Sequence, residues 1–101
     1  MTLRVILAAQ AVRDVAEIDR WWRENRRAAP DLFLEEFSAA LQLIGSAPFA
    51  GRHYRETNVP HVRRFLMRAT RYHVYYVVGV AEAEVHTVWS AVRGAGPDLR
   101  V

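Results

Sequence analysis

The side chains of this sequence that could do chemistry are concentrated over a short span. Between positions 52 and 71 stand Arg52, Arg55, Arg63, Arg64, Arg68 and Arg71, with Glu56 as the one acidic residue among them. A guanidinium stays charged at any physiological pH, so such a set binds carboxylate or phosphate, or stabilises negative charge that develops in a reaction, but accepts protons poorly. Proton transfer would fall to the histidines at 53, 61, 73 and 86, the side chains whose ordinary titration lies near neutrality. Cysteine is absent, which excludes disulfides and thiolate metal sites and fits a reducing compartment. No pair of histidines stands at i, i+4 on a helix, and no metal or cofactor is expected.

The wider composition sets the frame for that cluster. All 14 basic residues are arginine, and they are unevenly placed. Residues 1–50 carry six arginines against seven acidic residues, a balance of −1, whereas residues 51–101 carry eight against four, a balance of +4. The basic half suits an anionic partner, either nucleic acid or an acidic protein segment. At 101 residues, about half of them apolar, the chain is expected to form one domain over 1–101. No apolar run reaches the length of a membrane span, and the opening MTLRVILAAQAVRDV meets charge too early for a secretory signal, so a soluble cytoplasmic protein is expected.

The elements that must position these residues follow from periodicity. Leu3, Val5 and Leu7 alternate with their neighbours and predict a first strand over 3–8. Val15, Ile18 and Trp22 then recur at helical spacing, predicting an amphipathic helix over 11–26 in which only one of Trp21 and Trp22 can cover the end of the hairpin. Pro30 and Asp31 suit the first turn of a second helix, whose apolar stripe is Phe33, Phe37, Ala40, Leu41 and Ile44. Pro48 should stop it near Gly45 or Ser46, and Gly51 should allow a turn that other residues resist. Three β-type runs follow, at 62–68, 72–78 and 85–91, with links at Ala69–Arg71 and near Gly79–Glu84 short enough for an antiparallel meander.

Strand, antiparallel helical hairpin and three-stranded meander describe an α+β two-layer sandwich. Its strand at 72–78 puts Val74, Tyr76 and Val78 on one face and His73, Tyr75 and Val77 on the other. One helical layer covers only one face. A partner chain is expected on the second, which would otherwise leave apolar and arginine side chains wet.

These features in this order resemble the RelE/ParE superfamily of toxins from type II toxin–antitoxin systems. The resemblance is carried by the first strand, the helical hairpin, the punctuation Leu43, Pro48, Gly51, the V-R-R run at 62–64, the Y-H-V-Y-Y run at 72–76 and a closing V-R at 92–93. It spans nearly the whole chain. It implies one of two activities: cleavage of messenger RNA on the ribosome by RelE-like members, or inhibition of DNA gyrase by ParE-like members, which lack the nuclease residues. If this chain were a nuclease, Arg64, Arg71 and His73 would carry the reaction, with Glu56 or His53 as further candidates for the base. His73 stands where many nuclease members carry arginine, the tyrosine or histidine acid expected after the last strand is missing from Val92–Pro97, and there is no lysine. The ParE-like branch is therefore favoured.

The resemblance further implies a cognate antitoxin in a hetero-oligomeric complex and a target contacted by basic side chains, here Arg63, Arg64, Arg68, Arg71 and Arg93. The expected antitoxin is a disordered acidic and apolar segment that folds on Arg63, Arg64, Leu66, Arg68, Tyr75 and Val77. A member that has lost toxicity and kept antitoxin binding is a third possibility.

Overall fold

The computed structural model describes residues 2–99. Strand β1 (Arg4–Leu7) leads into helix α1 (Ala9–Asn25), and α2 (Leu32–Ser46) returns alongside it. The chain then forms β2 (Arg52–His53), β3 (Val62–Met67), β4 (Tyr72–Val78) and β5 (Glu82–Ser90). These strands make one five-stranded sheet in the order β1-β5-β4-β3-β2. The pairs β2–β3, β3–β4 and β4–β5 are antiparallel, whereas β1 runs parallel to β5. The α+β sandwich is as expected from the sequence. Two differences concern the strands: β5 begins at Glu82 rather than Val85, and β2 is an additional edge strand of two residues.

Helix packing follows the apolar periodicity. Phe33, Phe37, Ala40 and Ile44 of α2 and Ala11 and Trp22 of α1 are buried with Met67, Val74, Tyr76, Ala83, Val85 and Val88 of the sheet. Trp22 closes the hairpin, its indole N–H donating to Ala29 O at 2.9 Å, while Trp21 remains 43% exposed. Arg23 ties the hairpin together, reaching Asp19 on its own helix at 3.1 Å and Asp31 before α2 at 2.7 Å.

Carboxylates on the helices hold the sheet where strand pairing stops. Asp14 of α1 accepts from the Thr87 hydroxyl and from Val88 N–H at 3.2 Å, satisfying the β5 edge past the point where β1 ends. Glu36 of α2 accepts from Ala69 N–H at 2.8 Å and from the amide and hydroxyl of Thr70 at 2.9 and 2.6 Å. It thereby fixes the β3–β4 turn, in which Arg71 takes a left-handed conformation at φ 66°.

The passage from α2 into the sheet is bolted by Tyr76. Its buried hydroxyl donates to Pro48 O at 2.7 Å and accepts from Gly51 N–H at 2.9 Å. Burial raises the pKa of this phenol above its ordinary value, which keeps the proton available for donation. Gly51 is needed for space rather than for φ, which is not positive. A Cβ there would meet the Tyr76 hydroxyl at 2.5 Å and Arg64 O at 2.9 Å.

The second sheet face differs from the open surface expected. Tyr54 and Val59, from the loop between β2 and β3, pack over Val62 and Tyr75 with Val77, Trp89 and Leu99 around them. Tyr54 stacks edge-on against Tyr75 at 5.0 Å, and the segment after β5 returns so that Gly96 lies against the Tyr54 hydroxyl. The chain thus covers part of this face itself. Neither covering segment has a repeating apolar pattern by which the sequence could reveal it.

Candidate functional site

What remains uncovered on the second face is a band across the middle of the sheet. Directly opposed residues share a face, so Leu66 on β3, His73 on β4 and Trp89 on β5 form one cross-strand row. All three are half-buried. Arg64 lies one row away, opposite Tyr75, and its guanidinium sits over the Tyr54 ring at 5.3 Å. At the other end Arg93 stacks on Trp89 at 4.5 Å, and the Trp89 indole N–H donates to Ala95 O at 2.9 Å. The band is an apolar and aromatic floor with a guanidinium at each end. Such a surface holds a planar or apolar group while neutralising an anion beside it.

The sequence candidates separate into three groups. Arg64, Leu66, His73 and Arg93 belong to this band, and the exposed Arg68 and Arg71 sit in the turn beyond its β3–β4 end. Arg63 points to the opposite face. Its guanidinium donates to Gly51 O at 2.7 Å, Phe49 O at 3.3 Å and His53 Nε2 at 3.1 Å, and it covers the Phe49 ring at 4.8 Å. This side chain is a clamp on the turn after α2, and the alternation of strand side chains is why two adjacent arginines divide between faces. Tyr75 is 1% exposed beneath Tyr54 and presents no free surface, whereas Val77 is half-buried at the margin of the same cluster.

Trp89 and Tyr54 are the site residues that sequence reasoning missed. Trp89 was recognisable only as a strand residue, because its place beside His73 depends on the register of β4 and β5. That register shifts between Tyr75 and Tyr76, where β5 accommodates His86 as an extra residue. His86 pairs with Glu84 at 3.1 Å.

The electrostatics limit the chemistry this band can perform. Burial first, and the positive charge of Arg64 second, hold His73 below the ordinary histidine pKa. Its imidazole is therefore neutral near physiological pH. His53 is lowered too, chiefly by Arg63, and accepts the Arg63 N–H as a neutral ring must. No carboxylate lies in the cross-strand row, and Glu56 is exposed in the loop between β2 and β3. Among the described residues no group of histidine, aspartate and glutamate could hold a metal ion. No helix of the described residues is long and apolar enough to cross a membrane.

Comparison with known proteins places this architecture. The family described as "ParE toxin of type II toxin-antitoxin system, parDE" matches residues 5–94. A chain of the chromosomal ParDE toxin–antitoxin system from P. aeruginosa has the same fold, with a TM-score of 0.71 over 88% of this chain and 96% of that one at 12% identity. A chain of the E. coli DinJ–YafQ toxin–antitoxin complex aligns with a TM-score of 0.58 over 89% and 93% of the two chains at 8% identity. No curated protein sequence matches.

Proposed function

The chain belongs to the ParE toxin family of type II toxin–antitoxin systems, and from that premise we propose that it acts by binding rather than by cleavage, inhibiting DNA gyrase until a cognate antitoxin neutralises it. The observation that carries this reading is the makeup of the band. Cleavage of RNA through its 2′-hydroxyl asks for a base, an acid or equivalent help to the leaving group, and cations around the phosphorane. Cations are present in Arg64 and Arg93. The row itself supplies a single proton-transfer group, His73, and Arg71, the third member of the nuclease set, stands in the turn outside the row. A surface of this kind holds a partner better than it moves two protons.

The test is supercoiling by DNA gyrase measured against increasing amounts of the purified free protein. Dose-dependent inhibition or trapped cleaved DNA supports the reading, and full supercoiling in the presence of folded protein refutes it. The second reading is ribosome-dependent cleavage of messenger RNA. It is favoured by the common face of Arg64 and His73, and it predicts that His73→Ala abolishes growth arrest while leaving antitoxin binding intact. Growth arrest that survives His73→Ala counts against cleavage.

A further inference from the structure

A cleft opens where the sheet loses a strand. β1 ends at Leu7, opposite Val85, so the rest of β5 has no strand beside it on that side. Helix α1 crosses the gap, pinned through Asp14 to Thr87 and Val88, and an open cleft of about 730 Å³ is left between helix and sheet. That volume suits a ligand the size of a nucleotide. Trp21, Tyr72, Trp89, Ser90 and Arg93 stand in its lining.

Each of the two tryptophans carries a guanidinium. Arg26 lies 5.0 Å from the centre of the Trp21 ring, and Arg93 lies 4.5 Å from that of Trp89. Stacking engages the flat face of a guanidinium and leaves its N–H edge able to grip an oxyanion. Arg26 directs one N–H to Asn25 O at 3.3 Å, and among the described residues neither arginine takes part in an ion pair. Tyr72 supplies a further donor. Its ring is held edge-on to Phe33 at 5.5 Å, and among the described residues its hydroxyl takes part in no hydrogen bond. Burial raises the pKa of this phenol against the opposing pull of Arg93 and Arg26, so the O–H stays protonated at physiological pH. Glu17 and Glu24 of α1 also line the cleft, and their carboxylates can accept N–H groups from the edge of a base.

We infer that this cleft binds one unstacked nucleotide, its phosphate held by Arg26, Arg93 and the Tyr72 hydroxyl and its base by the indoles and the two carboxylates. A free nucleotide and the end of a nucleic-acid strand present the same chemistry. An acidic peptide is disfavoured because Glu17 and Glu24 would repel it, and an apolar one leaves the guanidiniums unmatched. The cleft shares only Trp89 and Arg93 with the band, and the inference goes beyond the toxin reading, since it calls on neither gyrase nor antitoxin.

The experiment titrates the isotope-labelled full chain with adenosine monophosphate up to about 10 mM and follows the indole N–H signals by NMR. Those of Trp21 and Trp89 should shift together, whereas that of Trp22, tied to Ala29 O, should stay. Tyr72→Phe, which keeps the ring against Phe33, and Arg26→Gln should each weaken binding roughly three- to tenfold. Inorganic phosphate, which lacks the stack, and adenosine, which lacks the anion, should each bind about tenfold more weakly than the nucleotide. No shift of the two indoles, or equal affinity for inorganic phosphate and the nucleotide, would overturn the site. Binding unchanged by both substitutions would overturn it in favour of the band. A glutamate-rich peptide that moves the same indoles, with the same losses, would overturn it in favour of a protein ligand. Tighter binding of a short deoxyadenylate strand, equally dependent on Tyr72 and Arg26, supports the site with a strand end as its source, and equal affinity supports it with the free nucleotide. The assay contains no gyrase, so its failure and failure of the supercoiling test are separately visible.

Discussion

Tyr76 and Gly51 form a pair whose coupling can be worked out from their contacts. Replacing Tyr76 by phenylalanine keeps the buried ring and removes the hydroxyl, which loses the 2.7 Å bond to Pro48 O and the 2.9 Å bond from Gly51 N–H. Each bond is worth about 1 kcal/mol net, and an amide left buried without a partner adds to the cost, so Tyr76→Phe should destabilise by about 2–3 kcal/mol. For a domain of this size that is a fall in Tm of roughly 10–20 °C. Gly51→Ala forces a Cβ to within 2.5 Å of the same hydroxyl, 2.8 Å of Tyr76 Cε1 and 2.9 Å of Arg64 O. Overpacking of this kind costs about 1–3 kcal/mol, and displacing the turn endangers both hydrogen bonds as well.

The double variant relieves the tightest contact but not the other two. Its cost should therefore be smaller than the sum of the single costs by about 1 kcal/mol or more, a signature of residues in direct contact. Urea denaturation of the three variants and the parent protein measures all four corners. A loss below about 0.5 kcal/mol for Tyr76→Phe, or simple additivity in the cycle, would refute the assignment of this hydroxyl as the bolt between α2 and the sheet.

Glu36→Gln should destabilise by about 1–2 kcal/mol, since an amide oxygen replaces only part of the carboxylate that receives Ala69 and Thr70. Faster hydrogen exchange confined to those two amides would confirm the mechanism, and unchanged exchange would contradict it. Asp14→Ala should cost about 2 kcal/mol by unpairing Thr87 and Val88, with exchange of the Val88 amide rising first. Acidification should destabilise the fold through His73. The unfolded chain takes up protons at the ordinary histidine value of 6.5, while the folded ring does so only at lower pH. The stability is thus fully present above the ordinary value and is lost as pH falls below it. Thermal melts should fall less between about pH 7.5 and pH 5.5 in His73→Gln than in the parent protein, and equal falls would show that His73 has no part.

The helical hairpin was legible because two long segments repeat their apolar residues at helical spacing. Pro48 marked its end, α2 stopping at Ser46. The meander was legible from β-branched and aromatic runs joined by short links. Less visible was everything that depends on distant pairing. Nothing local in Arg4–Leu7 announces a parallel partner at Glu82–Val85, and two residues of β2 are too few to show a period. The site suffered most from this. Arg64 and His73 could be proposed from residue type, but the separation of Arg63 from Arg64, the approach of Trp89 to His73 and the burial of Tyr75 all require the register and the loop that folds back. Gly51 shows the same limit in a single residue, because the sequence suggested a special φ and the structure shows crowding by a side chain 25 positions away.

The order of the sheet also bears on when the protein can come into being during synthesis. Strand β1 emerges first, yet its partner is β5, with Arg4 opposite Glu82 and Leu7 opposite Val85. The same β5 joins β1 to β4. Until residues 82–90 have been made, the opening strand has no ladder to enter and the sheet has a missing member in its interior. Long-range pairing of this kind delays folding until its last participant is available. A chain that stops before residue 82 leaves β1 without a ladder and β4 without its neighbour, so neither edge of the gap can close until β5 exists.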